Sequence, residues 1–155
     1  MKITPFLWFD KEAEEAVGFY VSVFPNSKVT AVSQYGEAGP GPKGTVMTVA
    51  FELDGKQFTA LNGGPVFRFN EAVSFVVNCR DQAQVDRYWE KLGAGGEHGQ
   101  CGWLKDRYGL SWQIVPDALM RILGEPDEAK KNRVMKVMLK MRKLDIAALE
   151  VAAKG

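Results

Sequence analysis

EHGQCGWLKDRYGLSWQIVP, residues 97–116, holds the chain's only histidine, His98, and, three positions on, one of its two cysteines, Cys101. Two of the four tryptophans, Trp103 and Trp112, follow. Taken alone, the stretch offers a Cys–His pair. Taken as a pattern, WLKDRYG and LSWQIVP are two aromatic and β-branched runs that turn near Tyr108 and Gly109, which reads as a hairpin. What precedes decides between these. AVSFVVNC (72–79) reads as a strand, and RDQAQVDRYWEKL (80–92) as a helix with Val85, Tyr88, Trp89 and Leu92 on one side. GAGGEHGQCG is too rich in glycine for more than a loop or a weakly extended segment.

The same order stands upstream. KITPFLWF (2–9) reads as a strand. Asp10 opens a helix whose Ala13, Ala16, Val17, Tyr20 and Phe24 recur at helical spacing, with acids in its first turn. KVTAVSQYG (28–36) alternates as a strand, and EAGPGPKG (37–44) reads as a loop. TVMTVAFELDG and KQFTALNGG form two strands joined at Asp54-Gly55, a hairpin signal. A shift of 68 residues places Leu7 on Phe75, Val17 on Val85 and Tyr20 on Tyr88. With the shorter second half allowed for, Phe58 falls on Trp112. The chain therefore reads as an internal duplication. Residues 117–155 depart from it. DALMRILG is a short helix, and Pro126, Asp127 and Glu128 open a further helical stretch. Val134, Met138, Met141 and Leu144 lie on one side of that stretch, which is expected to pack on its own domain or on a second copy.

Composition narrows the function. The chain has 155 residues, 46% hydrophobic and 25% charged, with a formal net charge of +1. Those proportions suit a globular domain. The near-neutral charge gives no ground for binding nucleic acid or an acidic membrane surface. No apolar run approaches the roughly 20 residues needed to span a bilayer. The N-terminus meets Asp10 too early for a secretory signal, and two cysteines make no disulfide framework. A cytoplasmic protein with reduced thiols is expected.

Candidate chemistry is sparse. The strands carry no convergent histidines or carboxylates, so no metal site is expected. A reactive Cys101 would need His98 within reach, yet i, i+3 positions on a strand face opposite ways. GEAGPGPKG lacks the spacing of a phosphate loop. What remains is a pocket lined by the strand aromatics Phe6, Trp8, Trp103 and Trp112, with Thr59, Asn62, Ser74 and Gln113 as polar, uncharged neighbours. Small-molecule sites have that composition.

FYVSVFPNSK, FTALNGGP, AVSFVVNC, QVDRYWEKL and CGWLKDRYGLSWQIVP resemble the vicinal oxygen chelate superfamily, the glyoxalase and bleomycin-resistance fold. Within it they resemble the 3-demethylubiquinone 3-methyltransferase-like branch, related to glyoxalase-like proteins associated with phosphonate operons. The resemblance covers residues 2–116 and extends to the basic tail. It implies an α+β fold of two tandem βαβββ modules, about 1–68 and 69–116, forming a curved, barrel-like mixed sheet, followed by C-terminal helices over 117–155. It implies a homodimer, in some members with modules exchanged between chains. Metal-dependent members take four ligands from first and last strands. The matching positions here are Phe6, Thr59, Ser74 and Gln113, none of them a usual ligand. The combined expectation is a metal-independent, cofactor-free protein that binds a small aromatic or amphiphilic molecule. The alternatives are an enzyme acting on a quinone-like or phosphonate-related substrate, with Cys101 and Gln113 as candidate reactive residues, and a protein that sequesters a drug without turnover.

Overall fold

In the computed structural model, which describes residues 1–155, the chain folds as two units, 1–69 and 70–155. The first contains β1 (Phe6–Phe9), α1 (Ala13–Val23), β2 (Lys28–Gln34), β3 (Val46–Leu53) and β4 (Lys56–Asn62). Its sheet runs β1-β4-β3-β2, with β1 parallel to β4 and the other pairs antiparallel. The β3–β4 connection is the two-residue turn expected from Asp54-Gly55. Both residues take positive φ, +46° and +75°, as such a turn demands. Period-2 alternation turns Leu7, Phe9, Val49, Phe51, Phe58 and Ala60 inward, all buried. Helix α1 packs on β3 and β4 and buries Ala13, Ala16, Val17, Tyr20 and Val23. Each large side chain buried here stabilises by about 1.5–3 kcal/mol relative to exposure.

The second unit repeats the order with β5 (Phe75–Cys79), α2 (Gln82–Gly93), β6 (Glu97–His98), β7 (Trp103–Lys105) and β8 (Ser111–Pro116). Its sheet runs β5-β8-β7-β6, again with the first and last strands parallel. Asp81 caps α2 by accepting from the Gln84 amide at 2.8 Å. Both sheets are four-stranded and mixed, and each is open at two edges.

The register corrects one detail of the duplication. Leu7 pairs with Ala60, and Phe75 pairs with Trp112. Trp112 thus takes the place of Ala60, not of Phe58. Ser111, not Gln113, is the counterpart of Thr59. The difference arises at the hairpin: two residues join β3 to β4, whereas Asp106–Leu110 join β7 to β8. The five-residue loop consumes chain that the first unit places in strand.

The C-terminal residues belong to the second unit. Helices α3 (Asp117–Gly124), α4 (Glu128–Met138) and α5 (Ile146–Lys154) enclose a core of Val115, Leu119, Ile122, Val134, Leu144 and Leu149. The helical pattern read across Val134–Leu144 breaks after Met138. Asp145 restarts the helix by accepting from the Ala148 amide at 2.9 Å. Between the helices, the chain bonds to the turn before β7. The Cys101 amide donates to the Met141 carbonyl (2.8 Å), and the Gly102 amide to the Arg142 carbonyl (2.7 Å).

Candidate functional site

Alternation leaves each sheet with one face turned away from its helix. In the first unit that face carries Phe6 and Trp8 from β1 and Thr59 and Leu61 from β4, cross-strand partners in the order named. Phe6 is 59% exposed. Trp8 is held by its own loop: its indole N–H donates to the Gly64 carbonyl at 2.8 Å, and Phe67 meets its ring edge-on at 5.0 Å. Gly63 allows this, because a β-carbon there would overlap the Trp8 ring.

In the second unit the corresponding face carries Ser74 and Val76, Ser111 and Gln113, Trp103 and Lys105. Gln113 Nε2 donates to Ser74 Oγ at 2.9 Å. Trp103 lies beside Gln113, and Lys105 beside Ser111 and Glu97. Lys105 is ion-paired with Glu71. That hydrogen bond holds the Glu71 carboxyl below its ordinary range and raises the Lys105 ammonium above its own. A cavity of about 170 Å³ opens here, lined by Glu71, Glu97, Trp103, Lys105 and Ser111 among others. Ser111 is fully buried, and its hydroxyl has no hydrogen-bond partner. Few buried polar side chains are left in that condition.

Two residues expected in the pocket stand on the helix-facing side instead. Asn62 brackets α1: Oδ1 accepts from the Ala13 amide at 2.8 Å, and Nδ2 donates to Glu14 and to the Val46 carbonyl at 3.0 Å each. Trp112 is 3% exposed, and its indole N–H donates to the buried Asp106 carboxylate at 2.9 Å. Of the candidate set, Phe6, Trp8 and Thr59 share one face, and Ser74, Trp103 and Gln113 share the other unit's. Ser111, Lys105 and Glu71 are additions that the sequence reading missed. The KxxxxxS spacing across the hairpin signals nothing until the five-residue loop sets the register.

The Cys–His pair does not form a site. His98 Nε2 lies 3.0 Å from the Trp89 carbonyl, and its ring rests 4.5 Å from that of Trp89. Gly93 leaves room for it, since a β-carbon there would enter the imidazole. Cys101 takes positive φ (+56°), and its Sγ lies 3.6 Å from the Met138 carbonyl. Cys79 is buried, and desolvation, aided by Asp117 and Asp81, pushes its thiol up to about 12.

Two groups that the family likeness suggests do not fit. A divalent ion needs strong donors, and the positions on first and last strands are Phe6, Thr59, Ser74 and Ser111 or Gln113. No three histidine, cysteine, aspartate or glutamate side chains converge anywhere. A nucleoside methyl donor needs free amides at a glycine-rich strand-to-helix turn. Here the β1–α1 and β5–α2 turns contain no glycine, and Asn62 and Asp81 already occupy helix-terminal amides. A larger cleft of about 740 Å³ lies among the starts of α2, α3 and α5. It is broad, and its Asp81 and Asp145 serve as helix caps. The smaller cavity, with its unpartnered hydroxyl, has the stronger claim. No helix is long and apolar enough to cross a membrane.

Comparison with known proteins places this geometry. The PhnB protein from Bacillus cereus is 37% identical, with a TM-score of 0.68, covering 75% of this chain and 99% of that one. A Pseudomonas aeruginosa protein (20% identity, TM-score 0.62, 75% and 97% covered) and the fosfomycin resistance protein FosX from Listeria monocytogenes (15% identity, TM-score 0.60, 81% and 98% covered) share the fold alone. No curated protein matched. The model of the family described as 3-demethylubiquinone-9 3-methyltransferase matches residues 1–115. The chain belongs to that family and has the βαβββ fold of the vicinal oxygen chelate superfamily.

Proposed function

We propose that the protein binds a small aromatic or amphiphilic molecule on the strand faces turned away from α1 and α2, without a metal ion. The observation that carries this reading is the 170 Å³ cavity of the second unit, with an indole in its wall and a buried, unpartnered hydroxyl in its lining. Its volume is below that of a typical drug-sized site, so it holds one end of a ligand. Trp103 offers stacking area, and the Gln113–Ser74 pair offers fixed polar groups close by. Phe6, Trp8 and Thr59 form the equivalent surface of the first unit. Cys101 lies at the docking point of the C-terminal chain, so a reactive role for it finds no support in the geometry.

The test is a thermal-shift and tryptophan-fluorescence screen of uncharged quinones, aromatic amines, aromatic acids and alkylphosphonates. A compound that raises Tm and perturbs the emission, with both effects weakened in Trp103→Phe, supports the reading. A screen in which nothing raises Tm overturns it.

We further propose that the protein is a homodimer. The edge strand β2 leaves Val29 and Val32 46% and 55% exposed, and unpaired edges with apolar side chains favour association. Light scattering that returns the monomer mass at micromolar concentration would exclude this.

A further inference from the structure

The formal charge of +1 conceals a segregation. Residues 130–143, KKNRVMKVMLKMRK, hold seven of the 20 lysines and arginines and none of the 19 aspartates and glutamates. The rest of the chain has 13 cations against 19 anions, a net −6. Within the segment, Lys130, Lys131 and Lys143 are paired with Glu125, Glu128 and Asp86. Arg133 and Arg142 donate to carbonyls, of Ala152 and Ala153 and of His98, and so keep their charge. Lys136 and Lys140 are exposed and meet no carboxylate. The Leu139 amide donates to the Met135 carbonyl at 3.0 Å, so the helical path continues past Met138 and sets Leu139 one turn beyond Met135. Met135 is 37% exposed and Leu139 61%. At about 3.6 residues per turn, Lys136 and Lys140 run alongside this apolar pair. No residue of 130–143 lines either cavity described above.

We propose that this outer face of α4 docks on an anionic lipid surface, independently of what the cavity binds. A second copy would oppose like charges across the same face. A nucleic acid backbone would match the charge, but it would leave Met135 and Leu139 unused, and the face offers no aromatic ring to a base. An acidic protein would need pockets for its anchoring side chains, whereas a lipid layer moulds itself to a convex helix. The headgroup region takes both features, ammonium groups at its phosphates and apolar side chains just beneath. The negative remainder of the chain does not cancel this, because charges farther off than about 8 Å are screened at physiological salt. It turns the rest of the molecule away from the surface. Each cation held there tightens binding by about fivefold, so the docking is weak, reversible and sensitive to salt.

The experiment sediments the full chain with sucrose-loaded vesicles, of phosphatidylcholine alone or with about one-third phosphatidylglycerol, at about 50 mM and about 500 mM salt. Binding to the anionic vesicles about tenfold or more tighter than to the neutral ones, lost at the higher salt, supports the proposal. Lys136→Gln combined with Lys140→Gln should weaken it by about tenfold or more. Lys2→Gln combined with Lys56→Gln, an equal change of net charge in the first unit, should alter it less than about twofold. Leu139→Ser should weaken it by about threefold. All five side chains are exposed, and unchanged urea midpoints confirm that the variants fold. No preference for the anionic vesicles overturns the proposal, as does an equal loss from the two lysine pairs. Leu139→Ser without effect overturns docking through this face. A DNA duplex or polyglutamate bound as tightly as the anionic vesicles overturns lipid as the occupant.

Discussion

The Trp112 indole N–H and the Asp106 carboxylate meet at 2.9 Å inside the second unit, where neither residue is more than 3% exposed. Asp106 also accepts from the amides of Tyr108 (2.9 Å) and Leu110 (3.1 Å), and so closes the loop between β7 and β8. An amide at this position would point N–H groups at an N–H donor. Asp106→Asn should destabilise by about 2 kcal/mol, and Asp106→Ala, which strands the buried donors, by about 3 kcal/mol. Urea denaturation of Asp106→Asn, Trp112→Phe and the double variant checks this. The double variant should lose less than the sum of the singles, since the two residues share one bond.

Ser111 should behave in the opposite way. Its hydroxyl is buried with no partner, a condition that costs about 1–3 kcal/mol. Ser111→Ala should therefore raise the stability of the ligand-free protein by about 1 kcal/mol, measured from the urea midpoint at unchanged m-value. A loss of stability would mean that the hydroxyl is satisfied in solution.

The attachment of the C-terminal chain should depend on acid. Asp86 accepts from Lys143 at 2.7 Å and from Gln82 Nε2 at 3.0 Å, and these bonds, Lys143 first, hold its carboxyl below the ordinary range. A lowered folded-state pKa contributes stability that is complete above the unfolded value and disappears as pH falls through the folded one. The protection of the amides in residues 139–146, taken relative to intrinsic exchange at each pH, should fall below about pH 4, before the strands of the same unit lose theirs. Gln82→Ala should mimic this at neutral pH, since Gln82 also bonds the Leu144 carbonyl and the Ile146 amide.

Cys79 should be inert. With its thiol pushed up to about 12 by burial, almost no thiolate exists at pH 8. Iodoacetamide should leave Cys79 unmodified in the native protein and label it in urea, as read by peptide mass spectrometry.

The architecture was legible in the sequence because its signals are local. Asp54-Gly55 dictates a turn whatever surrounds it, and the spacing of Val85, Tyr88, Trp89 and Leu92 allows only a helix with one buried side. The site was less legible because it depends on register. Trp112 and Asn62 are an aromatic and an amide on strands, the residue types expected of a pocket. One residue of alternation sends each to the helix side, where Asp106 and the Ala13 amide await them. Ser111 looked unremarkable, because a buried hydroxyl without a partner exists only once three strands and a loop have closed around it. The break between α4 and α5 was hidden because the hydrophobic period runs through it, and only the Asp145 cap and the distant 101–102 turn interrupt the helix.

The contact between residues 101–102 and 141–142 also fixes an order of events during synthesis. The strand pairings of the first sheet, including β4 with β1, all lie within residues 1–69. The second cannot seat the turn before β7, or satisfy Gln82, until residues 141–146 have left the ribosome. A nascent chain stalled a few residues short of that point would carry an unlatched second half. Its stretch of unprotected strand is the kind of surface that chaperones engage.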